Sequence, residues 1–272
     1  MIYTFYIEKI ERLLLDGSED SLLLAALESR FCLEQICYDR LKNSLGHISA
    51  KDLKSWQPSQ IVNSLILEVG PGVADRMVVE VSDTPTETGV VAGSLDDYAS
   101  KEWHLLGTQS AIDPKKIGKL WNALSNLALH MQVPSELYGD PWERDFNAIR
   151  AKVVETLLDL KAINSGNLFW GVSGSEVLFE CICGRVNARK VNRLEQGHIV
   201  HCTNSECNES YSFDMAGNSF NRRLFEIACP SCQSASHYPL RAIEKMRFEE
   251  IKEFKCIACD AVNKVSLRPR LV

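Results

Sequence analysis

Four close pairs of cysteines fall in the last third of this 272-residue chain: Cys181/Cys183, Cys202/Cys207, Cys229/Cys232 and Cys256/Cys259. The first two pairs frame "ECICGRVNARKVNRLEQGHIVHCTNSEC", residues 180–207, and are separated by a basic, strand-like stretch. Zinc prefers four tetrahedral sulfur or nitrogen ligands, and cysteine pairs on two turns supply them when the intervening strands bring the turns together. The pattern meets that condition twice. Cys181, Cys183, Cys202 and Cys207 form the first expected site, and Cys229, Cys232, Cys256 and Cys259 the second. The second has C-x2-C spacing at both ends with 23 residues between the pairs. The first is looser, C-x-C and C-x4-C, and His198 and His201 lie close enough in sequence to compete as ligands. Ligands drawn from sequential pairs are the expectation, and interleaved pairs the alternative. Four protein ligands leave no open coordination position, so both zinc ions are expected to be structural, their binding serving as folding energy.

The chain is expected in the cytoplasm, on the two grounds that follow, and there thiols stay reduced and paired cysteines more often hold metal than disulfides. The N-terminal "MIYTFYIEKIERLLLDG" carries acidic residues within its apolar run and lacks a basic leader, so it does not read as a secretion signal. No stretch reaches the roughly 18 uninterrupted apolar residues of a membrane span. Charge is uneven: residues 175–272 hold 14 Lys and Arg against 12 Asp and Glu, leaving 16 against 24 for residues 1–174. The N-terminal part is therefore formally −8, a poor general surface for phosphate backbones, and the C-terminal part +2.

The first 166 residues read as helical. "EDSLLLAALESRFCLEQICYDRLKNSLG" is apolar on almost every face, as the central helix of a bundle is, with Gly46 as a stop and Cys32 and Cys37 as core residues. Within it Arg30 and Glu34, four apart, are expected to pair or to bridge to another helix. Asp113 and Pro114 announce a helix whose stripe is Ile117, Leu120, Trp121, Leu124, Leu127, Ala128 and Met131, and Asp140, Pro141 and Glu143 announce another. Between them, about residues 70–110 read as an insertion with a small hairpin turning at Pro85 and Gly89. Residues 164–169, "NSGNLF", read as a hinge, after which short β-prone runs replace the helical periodicity.

The knuckle "CICG" with "CTNSEC", "CPSC" and "CIAC" resembles the zinc-ribbon class over about residues 175–267. The resemblance implies a scaffold that serves nucleic-acid, protein and purely structural roles. Arg185, Arg189, Lys190, Arg193, Arg222 and Arg223, with Tyr211 and Phe213, could build a basic and aromatic face able to stack bases; the alternative is a solvated ribbon surface over a small aromatic core.

The helical part, through "LLLAALESRFCLEQICYDRL" and the later "KLWNALSNLALH", resembles the HEPN class of all-helical domains found in prokaryotic toxin and antiviral systems. That resemblance implies a homodimer and metal-independent RNA cleavage by an Arg-x4-6-His motif, the His handling a proton and the Arg the phosphorane-like charge. The chain departs from the motif. Asn126 and His130 are four apart in the late helix, but Ser125 stands where the arginine is expected. Arg40 and His47, with six residues between them, match it formally. No phosphate-binding glycine loop, serine nucleophile elbow or HExxH helix is present.

The expected architecture is α+β: residues 1–166 an all-helical bundle with a small β-hairpin insertion, residues 167–272 a double zinc ribbon. The expected function is recognition, the ribbons contacting nucleic acid or a protein partner and the helical domain mediating assembly. The competing expectations are a metal-independent endoribonuclease and a subunit whose zinc is purely structural.

Overall fold

The computed structural model describes residues 3–48, 57–83, 101–130, 144–168, 175–244 and 246–267. It has the expected α+β architecture, and the chain divides into two compact units, Met1–Ser44 with Trp56–Ser173 and Leu45–Ser55 with Gly174–Val272. No described helix is long and apolar enough to cross a membrane.

In the first unit, α1 (Thr4–Asp16) ends on Gly17, whose left-handed φ of 68° closes the turn. Ser18 then caps α2 (Glu19–Lys42) by accepting from the Ser21 N–H at 3.3 Å. α2 buries Leu22, Ala25, Ala26, Ser29, Cys32, Leu33, Ile36 and Cys37, a spacing of three and four that keeps one face inward. It packs against α1, α3 (Pro58–Glu68), α4 (Pro114–Leu124) and α5 (Phe146–Asn164), the central position its composition predicts. Cys32 and Cys37 are core thiols, both pushed up to about 12 by burial. Asp113 caps α4 as expected, accepting from the N–H groups of Lys115 and Lys116 at 2.8 and 3.3 Å. α4 runs into a π-helical turn, Ser125–Leu129, closed by the His130 N–H on the Ser125 carbonyl at 2.9 Å. Asp145 caps α5; the start read at Asp140–Glu143 lies outside the described residues. β1 (Met77–Ser82) and β2 (Trp103–Gln109) form the inserted antiparallel hairpin, with a bulge at Val79/Glu80. The turn expected at Pro85 and Gly89 lies outside the described residues. Asn167 and Leu168, expected in the hinge, instead donate to the Thr108 carbonyl at 2.9 and 3.1 Å and so extend the first unit.

Arg30 and Glu34 pair at 3.1 Å and bridge two helices: Glu34 also accepts from the Trp121 indole of α4 at 2.8 Å, and the Arg30 guanidinium lies 4.2 Å from that ring's centroid. Trp121→Phe removes the indole donor while keeping most of the packing. It is expected to lower stability by about 1–2 kcal/mol, read as a lower urea midpoint at unchanged m.

The second unit is a chain of antiparallel ribbons. β3 (Glu176–Glu180) pairs with β4 (Val186–Lys190), β5 (Ile199–His201) with β6 (Ser210–Asp214), and β6 with β7 (Ser219–Arg222). β8 (Leu224–Ala228) pairs with β9 (Ala235–Pro239) and, after the short helix α6 (Arg241–Glu244), β10 (Ile251–Lys255) pairs with β11 (Val262–Ser266).

Candidate metal centres

All four cysteine pairs sit in one kind of turn. Each first cysteine follows directly on the last residue of a strand, Glu180, His201, Ala228 or Lys255. Each also donates its N–H to the carbonyl two residues past the second cysteine: Cys181 to Arg185, Cys202 to Glu209, Cys229 to Ser234 and Cys256 to Ala261, at 2.8–3.1 Å. The loop between is thereby closed with both thiols on one side, whether it holds one, two or four intervening residues. In three of the turns the residue after the second cysteine is left-handed: Gly184, Gln233 and Asp260, with φ of 81°, 61° and 57°. Glycine carries no steric cost there, whereas Gln233 and Asp260 do.

The turns meet in two tetrads, Cys181 with Cys183, Cys202 and Cys207, and Cys229 with Cys232, Cys256 and Cys259, and within each the four sulfurs lie within 4.8 Å of one another. The pairing is sequential, and neither His198 nor His201 enters a tetrad. Sulfurs from opposite turns approach to 3.7 Å for Cys181–Cys207 and 3.6 Å for Cys183–Cys202, and to 3.7 Å for Cys229–Cys259 and 3.6 Å for Cys232–Cys256. Zinc–sulfur bonds of about 2.3 Å in a tetrahedron require sulfur separations of about 3.8 Å, whereas a disulfide requires about 2.05 Å. The donor sets therefore fit two structural zinc ions, and all eight cysteines are free thiols.

Surrounding donors face the sulfurs, as anionic zinc thiolates require. The backbone N–H of Asn204 points to Cys202 at 3.4 Å, that of Glu209 to Cys207 at 3.5 Å and that of Ala258 to Cys256 at 3.4 Å; the Tyr211 hydroxyl reaches Cys181 at 3.2 Å. The Ala258 N–H is the main reason the Cys256 thiol is held down to about 6, while burial pushes Cys207 up to about 11. Asn187, fully buried, ties the first two turns together by donating to the Arg185 carbonyl at 2.8 Å and accepting from the Thr203 N–H at 2.8 Å. The first tetrad also backs onto a core of Leu194, Val200, Tyr211 and Phe213, joined by Phe179 and Phe220, whose rings stack at 4.2 Å. In the ribbons that carry the second tetrad, the rings of Phe225, Tyr238 and Phe254 contact one another, and all three are half-buried.

The cations expected on a base-stacking face have other surroundings. Arg189 is 4% exposed and donates to the carbonyls of Gly46, Ala188 and His201 at 3.3, 2.7 and 2.6 Å. Lys190, 2% exposed, pairs with Glu176 at 3.0 Å. Arg222 grips the buried Glu209 carboxylate through two hydrogen bonds of 3.1 and 2.8 Å, and Arg223 pairs with Glu244 at 2.6 Å. Arg185 is exposed and contacts Thr203 at 3.3 Å; Arg193 is half-buried. Tyr211 and Phe213 are core residues rather than a stacking surface, because the inner faces of β5–β7 need apolar rings to cover the sulfurs.

The residues of the two expected catalytic pairs have the following surroundings. Arg40 is buried in the first unit and donates to the Ser110 carbonyl at 2.9 Å. His47 belongs to the second unit, where its Nε2 lies 3.3 Å from Glu176; burial, reinforced by Arg189 and Lys190 and opposed by Glu176, holds its pKa below the usual histidine value. Ser125 is buried with its hydroxyl on the Trp121 carbonyl at 2.8 Å, whereas Asn126 and His130 are exposed, His130 having left the helix with ψ of 149°. Sequence reasoning missed the part played by residues 45–48: the Gly46 carbonyl accepts from the Ala188 N–H at 2.9 Å as well as from Arg189, so a loop from far upstream is stitched to β4. Its only local signal is Gly46 itself, which reads as a helix stop. Comparison with protein-family models, curated proteins and solved structures finds no match to the chain.

Proposed function

We propose that the chain is a zinc-binding recognition protein whose ribbons dock on a protein partner. The observation that carries this reading is the character of the turn tips. Ile182 and Ile257 each follow the first cysteine of a turn and are 63% and 75% exposed, on turns that a bound zinc would brace. Leu178, Val186, Ile251 and Val262 continue exposed apolar surface along the neighbouring strands. Apolar side chains on a rigid support suit the desolvated centre of a protein interface, and the commitment of Arg189, Lys190, Arg222 and Arg223 to partners inside the unit leaves less charge for phosphate backbones. The helical unit serves assembly: Leu24, Phe31 and Tyr38, seven residues apart on α2, are all exposed, the spacing that a second copy of the same helix can match.

The test uses the full chain carrying two zinc ions. Crosslinking in cells followed by mass spectrometry is expected to recover one specific protein, lost in the Ile182→Asp/Ile257→Asp variant at unchanged zinc content. Fluorescence anisotropy with random-sequence RNA and DNA is expected to show no saturable binding at physiological salt. Tight binding that weakens steeply with salt and with Arg185→Ala and Arg193→Ala would transfer the reading to nucleic acid. Labelled RNA is expected to stay full length in chelator-containing buffer, and cleavage lost in His130→Ala or His47→Ala would install the ribonuclease reading instead.

A further inference from the structure

The outer face of α2 has a symmetric layout. Its exposed residues are Glu19, Asp20, Leu24, Phe31, Tyr38 and Lys42, and every other residue of the helix is buried or half-buried. From Asp20 to Lys42 the spacings are 4, 7, 7 and 4, which places these five residues on one strip, about 33 Å long and centred on Phe31. An acid stands at one end of the strip, a base at the other, and three large apolar side chains lie between them. The flanks are already committed within the unit. Towards α1, Glu28 pairs with Lys9 at 2.7 Å and Asp39 accepts from the Tyr3 hydroxyl at 3.1 Å; towards α4, Glu34 holds Arg30 and the Trp121 indole.

From this layout we infer that α2 docks antiparallel on the α2 of a second copy of the chain, with the two-fold axis passing at Phe31. The inference rests on the assembly role proposed for the helical unit, and it fixes the orientation and register of the contact. A two-fold axis there sets Phe31 on Phe31, Leu24 on Tyr38 and Asp20 on Lys42, the last two contacts each occurring twice. Apolar side chains thus meet at the centre and opposite charges at both ends. A parallel pair in register would instead set Asp20 on Asp20 and Lys42 on Lys42, where like charges repel. Glu28 and Glu34 also approach one another in the antiparallel pair, but Lys9 and Arg30 neutralise them. The strip is one helix wide and buries a modest area, so the dimer is expected to dissociate at roughly micromolar concentration.

Sedimentation velocity of the full zinc-loaded chain over a concentration series tests the assignment. The parent is expected to show a monomer–dimer equilibrium. Phe31→Glu is expected to be monomeric throughout at unchanged circular dichroism, and Ile182→Asp/Ile257→Asp to dimerise as the parent does. Lys42→Asp and Asp20→Lys each set like charges at both ends of the pair, and each is expected to weaken the dimer at least about fivefold. The chain carrying both changes restores opposite charges and is expected to return to within about twofold of the parent. Helix stability cannot produce that rescue, because each change opposes the α2 dipole and the double change opposes it twice. A parent chain that stays monomeric would overturn the assembly reading and this inference together. A dimer that survives Phe31→Glu, that ignores the single charge changes, or that the double change fails to restore would leave assembly standing and overturn the antiparallel register.

Discussion

Stripping both metals with a strong chelator is expected to unfold the ribbon unit while the helical unit keeps its circular dichroism. Each tetrad gathers four thiols whose sulfurs lie within 4.8 Å of one another, an arrangement that is unfavourable without a cation among them. Structural zinc supplies about 10 kcal/mol per site, comparable with the whole net stability of a folded domain. The two sites should not respond alike. Each tetrad has one exposed cysteine, Cys183 or Cys259, but behind Cys181, Cys202 and Cys207 lies a closed core that includes Val200, Tyr211 and Phe213, whereas among the described residues the rings of the second ribbon pair, Phe225, Tyr238 and Phe254, are half-buried. With limiting chelator, the first metal to leave is therefore the one held by Cys229, Cys232, Cys256 and Cys259. Colorimetric zinc release followed beside amide NMR spectra of β8–β11 and β3–β7 separates the steps. Acid acts in the same direction, because every thiolate ligand must regain a proton. A metal-free chain with undiminished dispersion in both ribbons would sink this account, as would release from the first tetrad before the second.

What was legible in the sequence follows from range. The tetrads could be read because coordination is written in short spacings: a pair one to four residues apart must occupy a turn, and two turns make a site. The start of α4 could be read for the same reason, since Asp113 and Pro114 act on the next turn of chain. The cations could not. Arg185 and Arg189 are four residues apart in one basic run, yet one is exposed and the other buried. Which became which depends on the Gly46 carbonyl, 143 residues away, and on the His201 carbonyl across the ribbon. The aromatic residues show the same ambiguity. Tyr211 and Phe213 have the composition of a base-stacking surface and the location of a core, and only the pairing of β5, β6 and β7 decides between them. His47 is the extreme case, a residue that reads as the end of a helix and belongs to the ribbon unit.

Arg189→Ala is the substitution expected to cost the ribbon unit most among its cations. The guanidinium joins three segments, residues 45–48, β4 and β5, through one buried carbonyl, that of Ala188, and two partly buried ones, and its carbon lies 5.9 Å from the Phe179 ring centroid. Truncation takes a donor from each carbonyl, at about 1–3 kcal/mol where none remains, while Gly46 keeps the Ala188 N–H; with relaxation the expected total is about 2–4 kcal/mol. Lysine should not rescue it, because one ammonium on a flexible stem cannot reproduce a planar fork that reaches both Ala188 and His201. Arg185→Ala, on the surface of the same basic run, is expected to change stability by less than about 0.5 kcal/mol. Thermal melts of the zinc-loaded variants, with zinc release under chelator competition as the second readout, compare the two. If Arg189→Ala melted with the parent chain and lost affinity for RNA instead, the guanidinium would belong to a binding face, and the case for a protein partner would lose its main contrast.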